Sequence, residues 1–212
     1  MQRALRRFYD RLATPLPVWN RWVLGLAVIP LALSFSMPLW NIRMTAPQYP
    51  DGLSVDIYAH TIEGGNQGRD LNEINTLNHY IGMHKIDRGE LTDLNWIPFA
   101  IGALMLLTLR VAVIGDGRAI LDLAVLTAYF SLFSAARFAF RLYTYGHNLD
   151  PSAPIHMDPF TPAILGTKQI ANFTASSYPR GATFLIGGFA IAVMLIAVLH
   201  LLRPPQRRAA PG

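Results

Sequence analysis

The chain has 212 residues, of which 52% are hydrophobic and 15% are charged, and its formal net charge at pH 7 is +5. This composition is too apolar for a soluble domain of the same size, so it predicts an integral membrane protein. The basic residues cluster at the ends of apolar runs, which indicates membrane topology and argues against nucleic acid as the partner. With no cysteine, the chain can form neither a disulfide nor a thiolate metal site.

Four apolar runs have the length of about 20 residues that a helix needs to cross a bilayer. They occupy residues 22–40, 96–114, 119–140 and 181–202. The first run is too long for the core of a cleaved signal peptide and lacks a small-x-small cleavage site, so we expect it to remain as a span. The sequence Gly115-Asp116-Gly117-Arg118 predicts a tight turn between the second and third runs. The expected fold is a single all-α integral membrane domain of four transmembrane helices.

The distribution of lysine and arginine predicts the orientation of these spans. Of the 18 basic residues, ten lie in short segments at the N-terminus, at the turn and in the tail, while the other eight are diluted over two long loops. The positive-inside rule assigns the dense segments to the cytoplasm. We therefore expect a multi-pass protein of the bacterial inner membrane with both termini and the tail at 203–212 in the cytoplasm. The loops at 41–95 and 141–180 would face the periplasm.

The two long loops are expected to form a periplasmic cap over the helix ends. Apolar and polar residues alternate from Leu53 to His60, which is the period of a half-buried strand. Asp70 and Glu73 have the spacing of a capping box at the start of a short helix, and one face of that helix is apolar, with Leu71, Ile74, Leu77 and Ile81. In the second loop, residues 163–173 are expected to form a short amphipathic helix.

Histidine and methionine residues gather in these two loops. His79 and Met83 are neighbours at i and i+4 on the predicted short helix. Imidazole and thioether together form a ligand set that suits copper, particularly Cu(I). The candidate copper ligands are His79, Met83, His84, His147, His156 and Met157. The plainer and commoner alternative is that the histidines join the two loops by hydrogen bonds while the methionines only pack.

Other chemistry has less support in the sequence. Haem is not expected, because His200 is the only histidine in a span. The chain has no Gly-x-Ser-x-Gly, no His-Glu-x-x-His and no phosphate-binding glycine loop, which favours a protein that is not an enzyme. A quinol-binding subunit that feeds a periplasmic cytochrome is the alternative, with His79, Tyr80 and His147 as proton acceptor and hydrogen-bonding groups. A third alternative is a structural membrane scaffold that binds no ligand.

Four motifs resemble a known family. They are Met37-Pro38-Leu39-Trp40, Ala46-Pro47-Gln48-Tyr49-Pro50-x-Gly52-Leu53, Leu77-Asn78-His79-Tyr80-Ile81-Gly82-Met83 and Tyr145-Gly146-His147-Asn148-Leu149-Asp150-Pro151. Together they resemble the small polytopic membrane proteins encoded beside atypical (clade II) nitrous-oxide reductases, next to a copper chaperone and a copper-site maturation transporter. The resemblance runs from the end of the first span through the second loop and supplies no catalytic residues.

The resemblance implies an accessory role in nitrous-oxide respiration, a form of denitrification. We therefore expect a membrane accessory factor that supports a periplasmic copper oxidoreductase. It would act by copper handling or by docking the oxidoreductase, its maturation proteins or its electron donors.

Overall fold

The computed structural model describes residues 8–9, 11–170 and 172–203. Four of the described helices are long and apolar enough to cross a membrane, which confirms the predicted number and indicates a membrane protein. They are α1 (Val18–Leu33), α3 (Asp93–Ile114), α4 (Gly117–His147) and α5 (Gly181–Leu202). The basic residues Arg3, Arg6 and Arg7, and the tail from residue 204, which enter the orientation argument, lie outside the described residues.

The helices form a bundle in which α1 packs on α3 and α5, and α4 packs on α5 and α3. Its core contains Leu24, Ile101 and Val193, all fully buried. Large apolar side chains such as Leu106 and Phe184 stay exposed on the outside, as expected for surfaces that face lipid rather than water.

The predicted turn between α3 and α4 defines one end of this bundle, which we call the turn end. Gly115 adopts the left-handed conformation with φ +68°, and the Asp116 carboxylate accepts a hydrogen bond from the Arg118 amide at 3.2 Å. Arg21 on α1 donates to the Ala112 carbonyl at 2.8 Å, where helix α3 leaves carbonyls without helical partners. The short connection makes α3 and α4 antiparallel neighbours.

The opposite end of the bundle, the sheet end, carries a five-stranded antiparallel sheet. Its strand order is β3-β2-β1-β5-β4. The strands are β1 (Trp40–Ala46), β2 (Tyr49–Ile57), β3 (Ile62–Gly64), β4 (Gly166–Ile170) and β5 (Phe173–Pro179). The four helices agree with the prediction, but the term all-α does not cover this sheet. The sheet is larger than the strand predicted in the cap and is the main element of that region.

This sheet explains two differences from the prediction, one at the end of α1 and one in the second loop. Helix α1 begins at Val18 and, with a 3₁₀ turn at Ser34–Ser36, ends before Trp40, because Trp40 belongs to β1 and pairs with both Ile57 and Pro179. The amphipathic helix predicted at 163–173 is wrong, since β4 and the first residue of β5 occupy that segment. The strand β5 pairs with β1 of the first loop, a long-range partner that the local pattern cannot show.

The predicted strand from Leu53 is confirmed within β2, and the predicted short helix is α2 (Arg69–Tyr80). The capping box is wrong. Asp70 is buried, and its carboxylate accepts hydrogen bonds from the Ser54 amide at 2.9 Å and from the Asn66 side chain at 2.8 Å. Glu73 accepts from the Tyr49 hydroxyl at 2.7 Å. The two acidic residues therefore fasten α2 to its surroundings, mainly β2, instead of capping it.

Candidate functional site

A cavity lies between one face of the sheet and the sheet-end portions of α3 and α4. It holds about 1190 Å³ of space that includes its open side. Alternate residues of the strands point into it, among them Ile42 and Met44 of β1 and Val55 and Ile57 of β2. Since β1 and β2 pair with Ile42 opposite Val55, these side chains form one continuous apolar wall.

The helix side of the cavity is polar at one place. Arg137 on α4 donates to Asp93, the first residue of α3, through Nε to Oδ1 at 3.0 Å and through Nη2 to Oδ2 at 3.2 Å. Arg141 donates to Oδ2 of the same carboxylate at 3.3 Å, and Trp96 Nε1 donates to Oδ1 at 3.0 Å. The two arginines face one point because they are four residues apart on a helix.

The lining of the cavity contains two arginines and one aspartate, so its formal charge is one positive in excess. Their side chains are only partly exposed, at 35% for Arg137, 25% for Arg141 and 17% for Asp93. Ser134, one turn before Arg137, also lines the cavity. Its hydroxyl oxygen is buried and has no hydrogen-bond partner within the described chain.

Helix α4 borders the cavity along its sheet-end half. The buried residues of α4 fall at Gly117 to Thr127 and again at Tyr145 and Gly146, with none between them. Over the intervening turns α4 contacts the bundle core through the partly buried Phe130 and otherwise borders the cavity and the outside. Tyr145 then closes the cavity by donating its hydroxyl hydrogen to the Lys85 carbonyl at 2.9 Å.

The second loop folds back tightly on the end of α4. The Phe160 amide donates to the Gly146 carbonyl at 2.9 Å, and a Cβ added at Gly146 would lie 1.9 Å from the Phe160 carbonyl oxygen. Only glycine fits at this contact. The fold-back brings Phe160 and Pro162 into the cavity wall.

The predicted pair of His79 and Met83 does not form. Helix α2 ends at Tyr80, Gly82 reverses the chain with φ +76°, and the Met83 amide donates to the Asn78 carbonyl at 2.8 Å. This is the ordinary way in which a glycine ends a helix. Met83 consequently lines the cavity, while His79 stays exposed on the outer side.

The two loops do meet, beside the end of α2. The Asp150 amide donates to the Gly82 carbonyl at 2.8 Å, and the Ile155 amide donates to the Tyr80 carbonyl at 2.9 Å. Hydrogen bonds from the side chain and the backbone of Ser152 lower the pKa of Asp150, and the nearby imidazoles of His79 and His84 lower it further.

The other predicted ligands are placed separately. His147 lies in the last turn of α4, where its ring stacks on Tyr143 with centroids 3.8 Å apart. His156 is exposed and Met157 is half-buried in the segment after Ile155. Within residues 8–9, 11–170 and 172–203, no group of three or more His, Asp or Glu side chains could hold a metal ion.

The residues predicted to bind quinol are not on the cavity wall. Its lining does not include His79, Tyr80 or His147. Tyr80 lines a second groove, which shares Met44, Asn78 and Phe173 with the cavity. His200, considered for haem, lies at the turn end with Nε2 3.1 Å from the Arg11 carbonyl oxygen.

The four residues that make the cavity polar were not among the candidate site residues. They are Asp93, Ser134, Arg137 and Arg141. The spacing of Arg137 and Arg141 at i and i+4 at the outer end of an apolar helix indicates contact with lipid head groups or acidic loop residues, and in the fold their partner is Asp93.

Comparison with known proteins gives no family: no protein-family model matches the chain, and no curated protein matches it either. The resemblance to proteins encoded beside nitrous-oxide reductases stays a prediction that rests on the four motifs.

Proposed function

We propose that the protein is a membrane accessory subunit that binds an isoprenoid quinol in the cavity at the sheet end. The observation that carries this proposal is an apolar cavity with a single small polar site on its helix side, built from Asp93, Arg137 and Arg141. Cavities that bind small molecules are mostly apolar, with a few polar groups that fix the orientation of the ligand.

The chemistry of a quinol matches this arrangement. Its tail and ring are apolar and suit the strand residues and Phe138, while its oxygens need hydrogen-bonding groups. Arginine supplies donors to a ring oxygen, and the Asp93 carboxylate accepts from a ring hydroxyl. We assign the cluster to binding and orienting the ring, and the proposal involves no redox step within this chain.

The proposed setting is the bacterial inner membrane, with the sheet end in the periplasm and both termini in the cytoplasm. Arg21, Arg110 and Arg118 lie at or near the turn end, consistent with the positive-inside rule. The resemblance to proteins encoded beside nitrous-oxide reductases suggests the partner, a periplasmic copper oxidoreductase or its electron donor. The sheet and the two joined loops are the surfaces available to it.

The proposal is tested by titrating the protein in lipid nanodiscs with a short-tail quinone and measuring affinity and stoichiometry by calorimetry. We expect one molecule bound per chain and about tenfold weaker binding in Arg137→Gln, since a hydrogen bond from a charged donor is lost. Arg110→Gln, at an exposed arginine of α3 near the turn end, is the control and should bind like the original protein. Failure of the unchanged protein to bind quinone would reject the proposal.

Copper handling is a second candidate, favoured by one observation: the hydrogen bond from the Asp150 amide to the Gly82 carbonyl joins the two loops within the segment that carries His79 and His84. Competition titration of Cu(I) against a chelator tests it. Binding that is lost in His79→Ala/His84→Ala and kept in His60→Ala, at an exposed histidine of the β2–β3 turn, would support a two-histidine site. Equal Cu(I) affinities in the original protein, the double variant and His60→Ala would reject the two-histidine site.

A further inference from the structure

Most Ser and Thr hydroxyls in α3 and α4 share one hydrogen-bonding pattern. Each of four Ser and Thr hydroxyls donates to the carbonyl four residues earlier in the same helix. They are Thr108, Thr127, Ser131 and Thr144, with distances to the carbonyl oxygens of 2.6, 2.7, 2.9 and 2.9 Å. This bond is the usual way in which a helix satisfies a hydroxyl that lies away from water.

Ser134 departs from that pattern. It lies on α4 between Ser131 and Thr144 and lines the cavity, yet its oxygen is buried and no described group bonds to it. A buried hydroxyl without a partner is unfavourable, because it has given up its hydrogen bonds to water. The departure therefore falls at a serine whose side chain borders the cavity. A ligand there could supply the missing partner once rotation about the Cα–Cβ bond turns the hydroxyl towards it.

The positions along α4 define what that ligand must offer. Ser134 and Arg137 are three residues apart, so they lie on one side of the helix and differ in depth by about 4.5 Å. Phe138 lies on the same wall and packs on Trp40 with ring centroids 4.7 Å apart. A flat ring placed along α4 at this point would reach Ser134 with one edge and Arg137 with the other.

We infer that Ser134 donates a hydrogen bond to the deeper ring oxygen of the bound quinone or quinol, while Arg137 donates to the opposite oxygen. In the quinol form, Asp93 accepts from the hydroxyl at that opposite oxygen. The inference rests on the proposed function and specifies its ligand class as a ring with oxygens on opposite edges. A fatty acid or a phospholipid carries its polar atoms at one end and would leave Ser134 without a partner.

The test compares Ser134→Ala with Ser131→Ala, a serine of the same helix whose hydroxyl is already bonded to Thr127. Short-tail 1,4-benzoquinone affinity is measured in nanodiscs, and the two carbonyl stretching bands of the bound quinone are recorded by infrared difference spectroscopy. We expect about five- to tenfold weaker binding in Ser134→Ala, with one carbonyl band moved towards its frequency in apolar solvent. Ser131→Ala and the conservative Ser134→Thr should keep the affinity and both bands.

The possible outcomes distinguish the role of Ser134 from the proposal that the cavity binds a quinol. Quinone binding with unchanged affinity and unchanged bands in Ser134→Ala would overturn the role of Ser134 and leave the quinol cavity standing. Absence of quinone binding to the unchanged protein would overturn both. Folding of each variant is checked by its thermal unfolding midpoint, and the infrared bands report on Ser134 even where affinity falls for a structural reason.

Discussion

At the scale of single residues, Asp93 organises the polar side of the cavity. Its carboxylate accepts hydrogen bonds from Arg137, Arg141 and Trp96, and so joins the first turn of α3 to the last turns of α4. The position of Asp93 in the first turn of α3 is also favourable, because a negative charge there interacts well with the helix dipole. These contacts connect two helices over the part of α4 that has no residue in the bundle core.

Replacing Asp93 by Asn should therefore destabilise the sheet end. The change leaves two guanidinium groups without a counter-charge, and we expect a loss of about 1–2 kcal/mol in unfolding free energy, since solvent partly screens the arginines. Unfolding in mixed micelles, followed by tryptophan fluorescence, measures this loss. Asp122→Asn, at an exposed acidic residue near the turn end of α4, should unfold like the original protein, and an equal loss in both would contradict the account.

Asp150 predicts a pH dependence at the junction of the loops. Its pKa in the folded protein is lowered below the ordinary value of 3.8, chiefly by Ser152 and then by the two imidazoles. Ionised Asp150 thus stabilises the junction above the pKa of the unfolded chain, and this contribution is lost as the pH falls through the folded pKa.

Amide hydrogen exchange of residues 149–156 at several pH values below and above 3.8, corrected for the intrinsic pH dependence of exchange, measures this effect. We expect protection to fall at the acid end in the original protein and to depend much less on pH in Asp150→Asn. An identical pH profile in the two proteins would show that the carboxylate does not stabilise the junction.

At the scale of elements, local patterns predicted what depends on near neighbours. The alternation around Leu53 predicted β2, and the apolar spacing predicted α2. In both elements the buried face is formed by residues that are close in sequence, so its period can be recognised locally. The cap of α2 could not be predicted in this way. Asp70 bonds to Ser54 instead, a partner that only the packing of α2 on β2 brings near.

The strands β4 and β5 show the same limit more strongly. Residues 163–173 contain too short a pattern to distinguish a helix from a strand, and their pairing is decided by β1, more than a hundred residues earlier. The predicted helical spacing of His79 and Met83 is wrong for a related reason. Gly82 ends the helical geometry one residue before the pair could form, and an isolated glycine near a helix end is ambiguous in sequence.

The fold-back of the second loop onto α4 depends on Gly146. We expect Gly146→Ala to lower the unfolding free energy by about 1–3 kcal/mol, because the new Cβ would press on the backbone of Phe160. Quinone affinity should fall with it, since Phe160 is part of the cavity wall. Thermal unfolding and quinone titration of the same samples test this.

The control for that change is Gly102→Ala in α3, where an added Cβ meets open space. Alanine favours a helix over glycine, so stability should be kept or raised there. A Gly146→Ala protein as stable as Gly102→Ala would contradict the tight contact.

At the scale of the whole molecule, the sequence predicted the four apolar helices because composition and length alone determine them. It did not predict the cavity, whose walls come from both loops and from two helices and exist only once β1 has paired with β5. The arginines on α4 were visible in the sequence, but their carboxylate partner was not. The orientation in the membrane and the link to nitrous-oxide respiration stay predictions.

The most direct test of the central claim is quinone affinity in a protein whose cavity has been filled. Ala175 lies on β5 and faces the cavity, while its neighbour Ser176 projects from the opposite face of the sheet. We predict that Ala175→Phe lowers the affinity for a short-tail quinone more than tenfold, whereas Ser176→Phe keeps it. Unchanged affinity in a folded Ala175→Phe protein, or no binding to the original protein, would contradict the assignment of this cavity to a quinol.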